Sequence, residues 1–385
     1  MIKINILRSN EEAKTLIDIH WRYWNLIFHF KKEFDELKIK FKFYFFKSIH
    51  DPKFYDCDYI FLDSRAFPRI KTYKDDIIDA NYTVDLSLLK KISLKNNNLI
   101  WFDTRDSAGT SQFEVMPYVK KYVKKQLYKD MNLYQKDLYG GRYYTDFYNK
   151  KFQIVDNRPY IQEFLLDKYK KKLILGWNIG AGRFYNYLEF GYLDYQIERL
   201  KIFLKIKNLN TKKILPFFKY NDSSKNDFFV HLKIHNEVAH SRNTVIFQRT
   251  ELVKNLKNDF PNYKFDNNKI TLKDYYKKLI DSKICFSAYG WGEVCYRDFE
   301  AIYCGVPFLT ADMSNIITWP NVYQDNVTYI SYDLDFKNLK DKIEYILNND
   351  RKRKELVSNS QEVLRNVYKD EGKKYFVNKI LEIIA

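Results

Sequence analysis

Residues Lys283–Leu309 read KICFSAYGWGEVCYRDFEAIYCGVPFL. An apolar run, a loop with two glycines, an amphipathic stretch, a glycine turn and a second apolar run follow one another. That order predicts a strand at Lys283–Phe286, a helix at Val294–Cys304 and a strand at Val306–Leu309. In open α/β sheets ligands bind beyond the carboxyl ends of the strands, the position held here by Ser287–Gly292. Gly290 and Gly292 permit close backbone approach, and the amides that open the following helix suit a phosphate or carboxylate. At about 100° per residue Glu293, Arg297 and Glu300 share one face within about 60°, while Cys295, Phe299, Ile302 and Tyr303 gather on the other. The planar fork of Arg297 matches a diphosphate, and Glu300 could accept paired hydrogen bonds from a ribose diol. The plainer alternative is an i,i+4 surface pair between Glu293 and Arg297.

Working outward, the same alternation continues in both directions. Upstream, strands are expected at Lys3–Leu7, Phe41–Phe46, Tyr59–Leu62 and Leu99–Phe102, with a long helix over Glu11–Phe34. The middle region suggests helices at Pro159–Tyr169 and Tyr195–Lys205 around a strand at Leu173–Trp177. Polar turns at Asn208–Lys213 and Asn221–Asp227 then interrupt the chain. Beyond them come a strand at Phe228–Ile234 and helices near Ser241–Asn258 and Leu272–Leu279, and everything after Phe336 has helical period. The expected fold class is α/β, two Rossmann-like domains facing across a cleft, with C-terminal helices packing back on the first. The expected domains are residues 1–213, residues 214–365, and a returning helix over 366–385.

Composition bounds the function. The chain has 385 residues, 45% of them hydrophobic, which is enough for two packed cores and excludes disorder throughout. Its four cysteines, Cys57, Cys285, Cys295 and Cys304, have no zinc or disulfide spacing. A reducing, cytoplasmic setting is therefore expected, without secretory signal or membrane span. The net charge of +17 favours an anionic ligand, although a chain this rich in Lys, Tyr and Phe is also what AT-rich coding produces. No GxxxxGK[ST], GxSxG or HExxH occurs. The Gly180–Gly182 run lacks the third glycine of a dinucleotide fingerprint, Tyr185 standing in its place.

The run GWGEVCYRDFEAIYCGVPFL, with ADMSNIITWPNVY after it, resembles the nucleotide-sugar-binding half of glycosyltransferases of the two-Rossmann GT-B fold, in particular the exostosin-like and group 1 polysaccharide families. The likeness covers residues 283–335, and more weakly 101–147, where FDTRDSAGT and YGGRYYTDFY are similar to acceptor-domain segments. It implies that Glu300 holds the donor ribose, Arg297 the diphosphate, and the loop Tyr289, Gly290, Trp291, Gly292 and Glu293 the sugar and phosphates. The family's two glutamates often have seven residues between them, whereas Glu293 and Glu300 have six, so the anomeric outcome stays open. The partners implied are a nucleotide-sugar donor and a glycan or lipid-linked acceptor, with no nucleic acid, no cofactor and no metal.

Asp103 and Asp106 follow the strand LIWF and so lie at its carboxyl edge, where either could deprotonate an acceptor hydroxyl; an Asx turn or a pairing with Arg105 suits them as well. Arg242, with His231, His235, Glu237 and His240 around it, is placed to meet a phosphate, next to a capping Ser241. Trp319 and Pro320 could floor the donor pocket or anchor a loop. Finally, Pro117–Asp130 reads as a helix with a lysine face of Lys120, Lys121, Lys124, Lys125 and Lys129. Such a face could rest on an anionic membrane or simply be solvated.

Overall fold

A computed structural model describes residues 1–8, 23–74, 77–157, 159–182, 217–223, 226–232, 242–262 and 270–385. Its first sheet has six parallel strands: β1 (Ile2–Arg8), β2 (Ile39–Phe45), β3 (Tyr59–Asp63), β6 (Leu99–Asp103), β7 (Lys121–Lys124) and β9 (Leu173–Leu175), in the order β2-β1-β3-β6-β7-β9. A separate hairpin, β4 (Arg69–Lys74) with β5 (Ile77–Val84), interrupts the run. Central β6, LIWFD, is buried at every residue, as expected where helices cover both faces. Edge strand β2, IKFKFYF, instead turns Lys40 and Lys42 to solvent, charges that discourage further strand pairing.

The second sheet has four parallel strands, β10 (Asn226–Phe229), β11 (Ser282–Phe286), β12 (Phe308–Ala311) and β14 (Ile330–Tyr332), in that order. Around it are helices α5 (Asn243–Asp259), α6 (Leu272–Ile280) and α7 (Tyr296–Tyr303), then α8 (Leu339–Leu347) and α9 (Asp350–Asn366). The first unit carries α1 (Asn25–His29), α2 (Lys31–Glu36), α3 (Leu86–Lys95) and α4 (Tyr143–Phe152). The expected α/β class with two parallel-sheet units is thus observed. The 213/214 boundary, the Tyr195–Lys205 helix and the first half of the Glu11–Phe34 helix fall outside the described residues.

The last helix, α10 (Asp370–Ile384), crosses back to the first unit. Phe376, Ile380, Ile383 and Ile384 join one apolar cluster with Trp24, Phe30, Phe34 and Trp177. Burying four such side chains is worth about 1.5–3 kcal/mol each relative to leaving them exposed. A second joint lies nearer the middle of the molecule: β8 (Gln126–Tyr128) of the first half pairs antiparallel with β13 (Ile316–Thr318) of the second, Leu127 opposite Ile317.

Two expected helices are absent. Pro117–Asp130 holds β7 and β8 instead, because Tyr122, Val123, Leu127 and Tyr128 all find apolar partners within sheets. Lys124 and Lys125 are buried there, so the lysine face proposed for a membrane does not exist. Pro159–Tyr169 has no α-helix; residues 159–166 are irregular and lead into a short 3-10 helix over Asp167–Lys172. Trp319 stacks on Tyr375, with ring centroids 4.4 Å apart, and so anchors a loop to α10.

Candidate functional site

The two units meet at the carboxyl ends of β6 and β11, where three loops touch backbone to backbone. A Cβ on Gly292 would lie 1.8 Å from the Asp106 carbonyl oxygen, and one on Gly109 would lie 2.0 Å from that of Gly141. Gly141 itself has φ +66°, a left-handed conformation that favours glycine. The contact is polar as well as close. Glu293, 3% exposed, accepts hydrogen bonds from Ser107 Oγ and the Ala108 amide, both at 2.9 Å. Arg142 Nε donates to the Trp291 carbonyl at 3.2 Å, and Tyr144 Oη to that of Gly290 at 3.1 Å. Glu293 precedes α7 and faces the other unit, so it does not share the face of Arg297 and Glu300 expected from helical geometry.

Around the Ser287–Glu293 loop stand three further arginines. The Arg242 guanidinium lies over the Trp291 ring, 3.9 Å from its centroid, and its Nη1 is buried without a hydrogen-bond partner. Burial, with the charge of Arg142 behind it, pulls its pKa down to about 9. Arg249 follows seven residues later, within α5, and a Cβ on Gly290 would meet its Nη2 at 3.4 Å. Burial and the nearby Arg297 lower the pKa of Arg249 too. Arg297, in the first turn of α7, reaches Ser287 Oγ at 3.4 Å. Among the described residues neither Arg242 nor Arg297 forms a salt bridge.

The local carboxylates are already engaged. Asp298 accepts from Tyr323 Oη at 2.6 Å and from the Cys295 amide at 3.1 Å. That second bond ties the amide of Cys295, the residue before α7, to the helix's own side chain. Glu300 accepts from Tyr275 Oη at 2.7 Å and Tyr276 Oη at 3.1 Å, which uses two of its roughly four acceptor sites. Tyr289 is buried, donates to the Asp312 carbonyl and packs on Tyr144, a structural placement. Trp291 keeps 38% of its surface exposed beside Arg242, so a ring face is available at the rim.

On the first unit, Asp103 is fully buried and bound by Arg105 Nε at 3.0 Å, Lys124 Nζ at 2.7 Å and Tyr122 Oη at 2.7 Å. Burial opposes its charged form, but Arg105 and Lys124 outweigh burial and hold the carboxyl well below its usual range. Such a group has neither the access nor the basicity of a general base. Both plainer alternatives form: the pairing with Arg105 and an Asx turn in which Asp103 Oδ1 accepts from the Arg105 amide at 3.1 Å. Asp106 is different: its side chain is 42% exposed at the junction, held by Arg65 and Lys125. Burial lowers the pKa of Lys125 and pulls Lys124 down to about 8.

Of the sequence-selected residues, the structure brings Gly290, Trp291, Gly292, Arg242 and Arg297 together around one loop, with Asp106 on the opposite unit and Glu300 one helical turn behind Arg297. His231 packs on Tyr275, while His235, Glu237, His240 and Ser241 lie outside the described residues. Arg142 and Arg249 were not selected from sequence. The seven-residue spacing from Arg242 to Arg249, within the helix expected near Ser241–Asn258, is the available signal for the second. Among the described residues no three His, Cys, Asp or Glu side chains are placed to hold a metal, and no helix is long and apolar enough to cross a membrane.

No family model matches the chain, and no curated protein matches it either. Solved structures similar to it include a glycosyltransferase from Rickettsia africae, at 11% identity, covering 100% of this chain and 97% of that one with a TM-score of 0.43. A DNA-modifying β-glucosyltransferase is 12% identical over 100% and 99% of the two chains, with a TM-score of 0.43. Anabaena HepE in complex with UDP-glucose is 10% identical over 99% of each, with a TM-score of 0.40. Likeness at this level carries no weight for the activity of this chain, which is read from the site itself.

Proposed function

We propose that the protein is a glycosyltransferase that moves a sugar from a nucleotide-diphosphate donor to a hydroxyl of a glycan or lipid-linked acceptor. The observation that carries this reading is a pair of arginines, Arg242 and Arg297, that flank a glycine loop and form no salt bridge among the described residues, while Glu300 and Asp298 accept hydrogen bonds from tyrosines. A buried cation without a counter-ion is costly, and a bound diphosphate would offset that cost while gaining charge-assisted hydrogen bonds. Trp291 would border the sugar, and Glu300 would exchange a tyrosine partner for a ribose hydroxyl.

In the reaction the acceptor oxygen attacks the anomeric carbon, the bond from that carbon to the diphosphate oxygen breaks, and the arginines take up the leaving charge. Asp106, the half-exposed carboxylate across the junction, receives the acceptor proton. Asp103 instead fixes the loop that carries Asp106.

A thermal-shift panel of UDP, GDP, CMP and their sugars tests the reading. At least one diphosphate is expected to stabilise the protein, and Arg297→Ala is expected to lower its affinity about 10- to 150-fold, the equivalent of about 1.5–3 kcal/mol for hydrogen bonds to charge. Turnover should fall with it. The engagement of Asp106 by both Arg65 and Lys125 favours a second reading, a non-catalytic nucleotide- or glycan-binding module. Nucleotide binding with no release of diphosphate from any sugar donor, across a panel of acceptors, would select that module.

A further inference from the structure

We propose that Glu293 is a positioning residue that couples the arginine-ringed loop of the second unit to the loop after β6, so that the two sides of the site hold one register. Its consequence for catalysis rests on the transferase reading; the coupling itself does not. Both carboxylate oxygens are committed across the junction, Oε1 to Ser107 Oγ and Oε2 to the Ala108 amide. Ser107 Oγ in turn accepts from the Gly109 amide at 3.1 Å, so the turn over residues 107–109 is organised around this one carboxylate. Two residues on, the Thr110 carbonyl accepts from Arg105 Nη2 and Lys124 Nζ, both at 2.9 Å, and those cations are anchored on Asp103 at the end of β6. A continuous polar chain therefore runs from the second unit's loop to the first unit's central strand.

The fit leaves little room for slippage. Next to Glu293, Gly292 lies so close to the Asp106 backbone that no side chain fits, and Asp106 is the proposed base. One residue further back, the Trp291 carbonyl is held by Arg142 and its ring by Arg242. Moving the Glu293 bonds would shift the proposed base and the arginine-bearing loop relative to each other, and misplacement of about 1 Å can cost 10²-fold in rate.

Charge gives the test its sign. Glu293→Gln preserves shape and removes a negative charge near the arginines, so electrostatics alone would tighten anion binding. Positioning predicts the reverse. With inorganic pyrophosphate as probe, Glu293→Gln is expected to bind roughly fivefold more weakly, with hydrogen exchange over residues 104–112 roughly tenfold faster at unchanged global fold. Ser107→Ala, on the other unit, should speed exchange over residues 287–293, and the double variant should be no worse than the poorer single one. Unchanged exchange over 104–112 in Glu293→Gln, tighter pyrophosphate binding by it, or additive effects in the double variant would each overturn the proposal. A wild-type protein indifferent to pyrophosphate and nucleotide diphosphates, with the exchange coupling intact, would remove the transferase reading and leave the coupling standing.

Discussion

The carboxyl ends of β6 and β11 are both rich in charge, yet they balance it differently. At β6 each cation has a carboxylate: Arg105 and Lys124 share Asp103, while Arg65 and Lys125 share Asp106. At β11 the cations Arg242 and Arg297 have none among the described residues, and the acids nearby are held by tyrosines or turned to the other unit. Ion-paired side chains fix geometry; cations without a salt-bridge partner are left to meet an ion of opposite sign. The contrast separates scaffold from binding site within one junction. It also predicts that the same kind of substitution has very different effects on the two sides.

The largest effect is expected on the ion-paired side. Lys124→Met leaves the Asp103 carboxylate buried with one cation fewer, and breaking a buried pair costs about 3–5 kcal/mol, read as a shift in urea midpoint at constant slope. Stability near that of wild type would show that Asp103 does not anchor the loop. The pair also sets a pH dependence. Because the folded pKa of Asp103 lies below its ordinary 3.8, its contribution is fully present above that value and is lost as pH falls further. Asp103→Asn should flatten the acid limb of the stability profile and leave the neutral region with a lower plateau.

A smaller effect is expected at the seam. Gly292→Ala forces a methyl group into the Asp106 carbonyl and should cost about 1–3 kcal/mol. Gly290→Ala, two residues earlier, meets only the tip of Arg249 at 3.4 Å, and should stay within about 0.5 kcal/mol of wild type. Equal melting temperatures for the two variants would mean that the units do not meet backbone to backbone.

Much of this was legible in sequence because it is local. The strands at Lys3–Leu7, Tyr59–Leu62 and Leu99–Phe102, the helix after the glycine loop and the last three helices announce themselves by apolar runs or period 3.6. The segment Pro117–Asp130 was misread because PYVKKYVKKQLY places apolar residues at a spacing that fits one helix face, while its lysines look like a solvated stripe. Only the long-range partner Asp103 explains why Lys124 is buried, and only the β13 strand, some 190 residues away, explains why Gln126–Tyr128 is extended. The roles of Glu293 and Asp103 were hidden for the same reason. Helical phase placed Glu293 beside Arg297, but the helix begins at Tyr296, and the carboxylate is claimed by a loop 186 residues away in sequence.

The smallest effect discriminates most sharply between the two sides. Arg242→Met removes a buried cation, as Lys124→Met does, but from a place where no salt bridge among the described residues is broken. Its folded-state pKa is depressed by burial and by Arg142, so the charge is a cost to the folded protein that the variant relieves. Against this stands the loss of the Trp291 stacking, worth about 0.5–2 kcal/mol depending on exposure. The relief matches or exceeds the lost stacking, and the variant is expected to be destabilised by no more than about 1 kcal/mol. What should change is the response to an anion. At ten times its dissociation constant, pyrophosphate stabilises a single-site protein by about 1.4 kcal/mol, and that increment should shrink in Arg242→Met while persisting in a Lys40→Met control on the exposed edge strand. If Arg242→Met destabilises as much as Lys124→Met and leaves the pyrophosphate increment intact, Arg242 belongs to the scaffold, and the distinction between an ion-paired and an unpaired end of the junction fails.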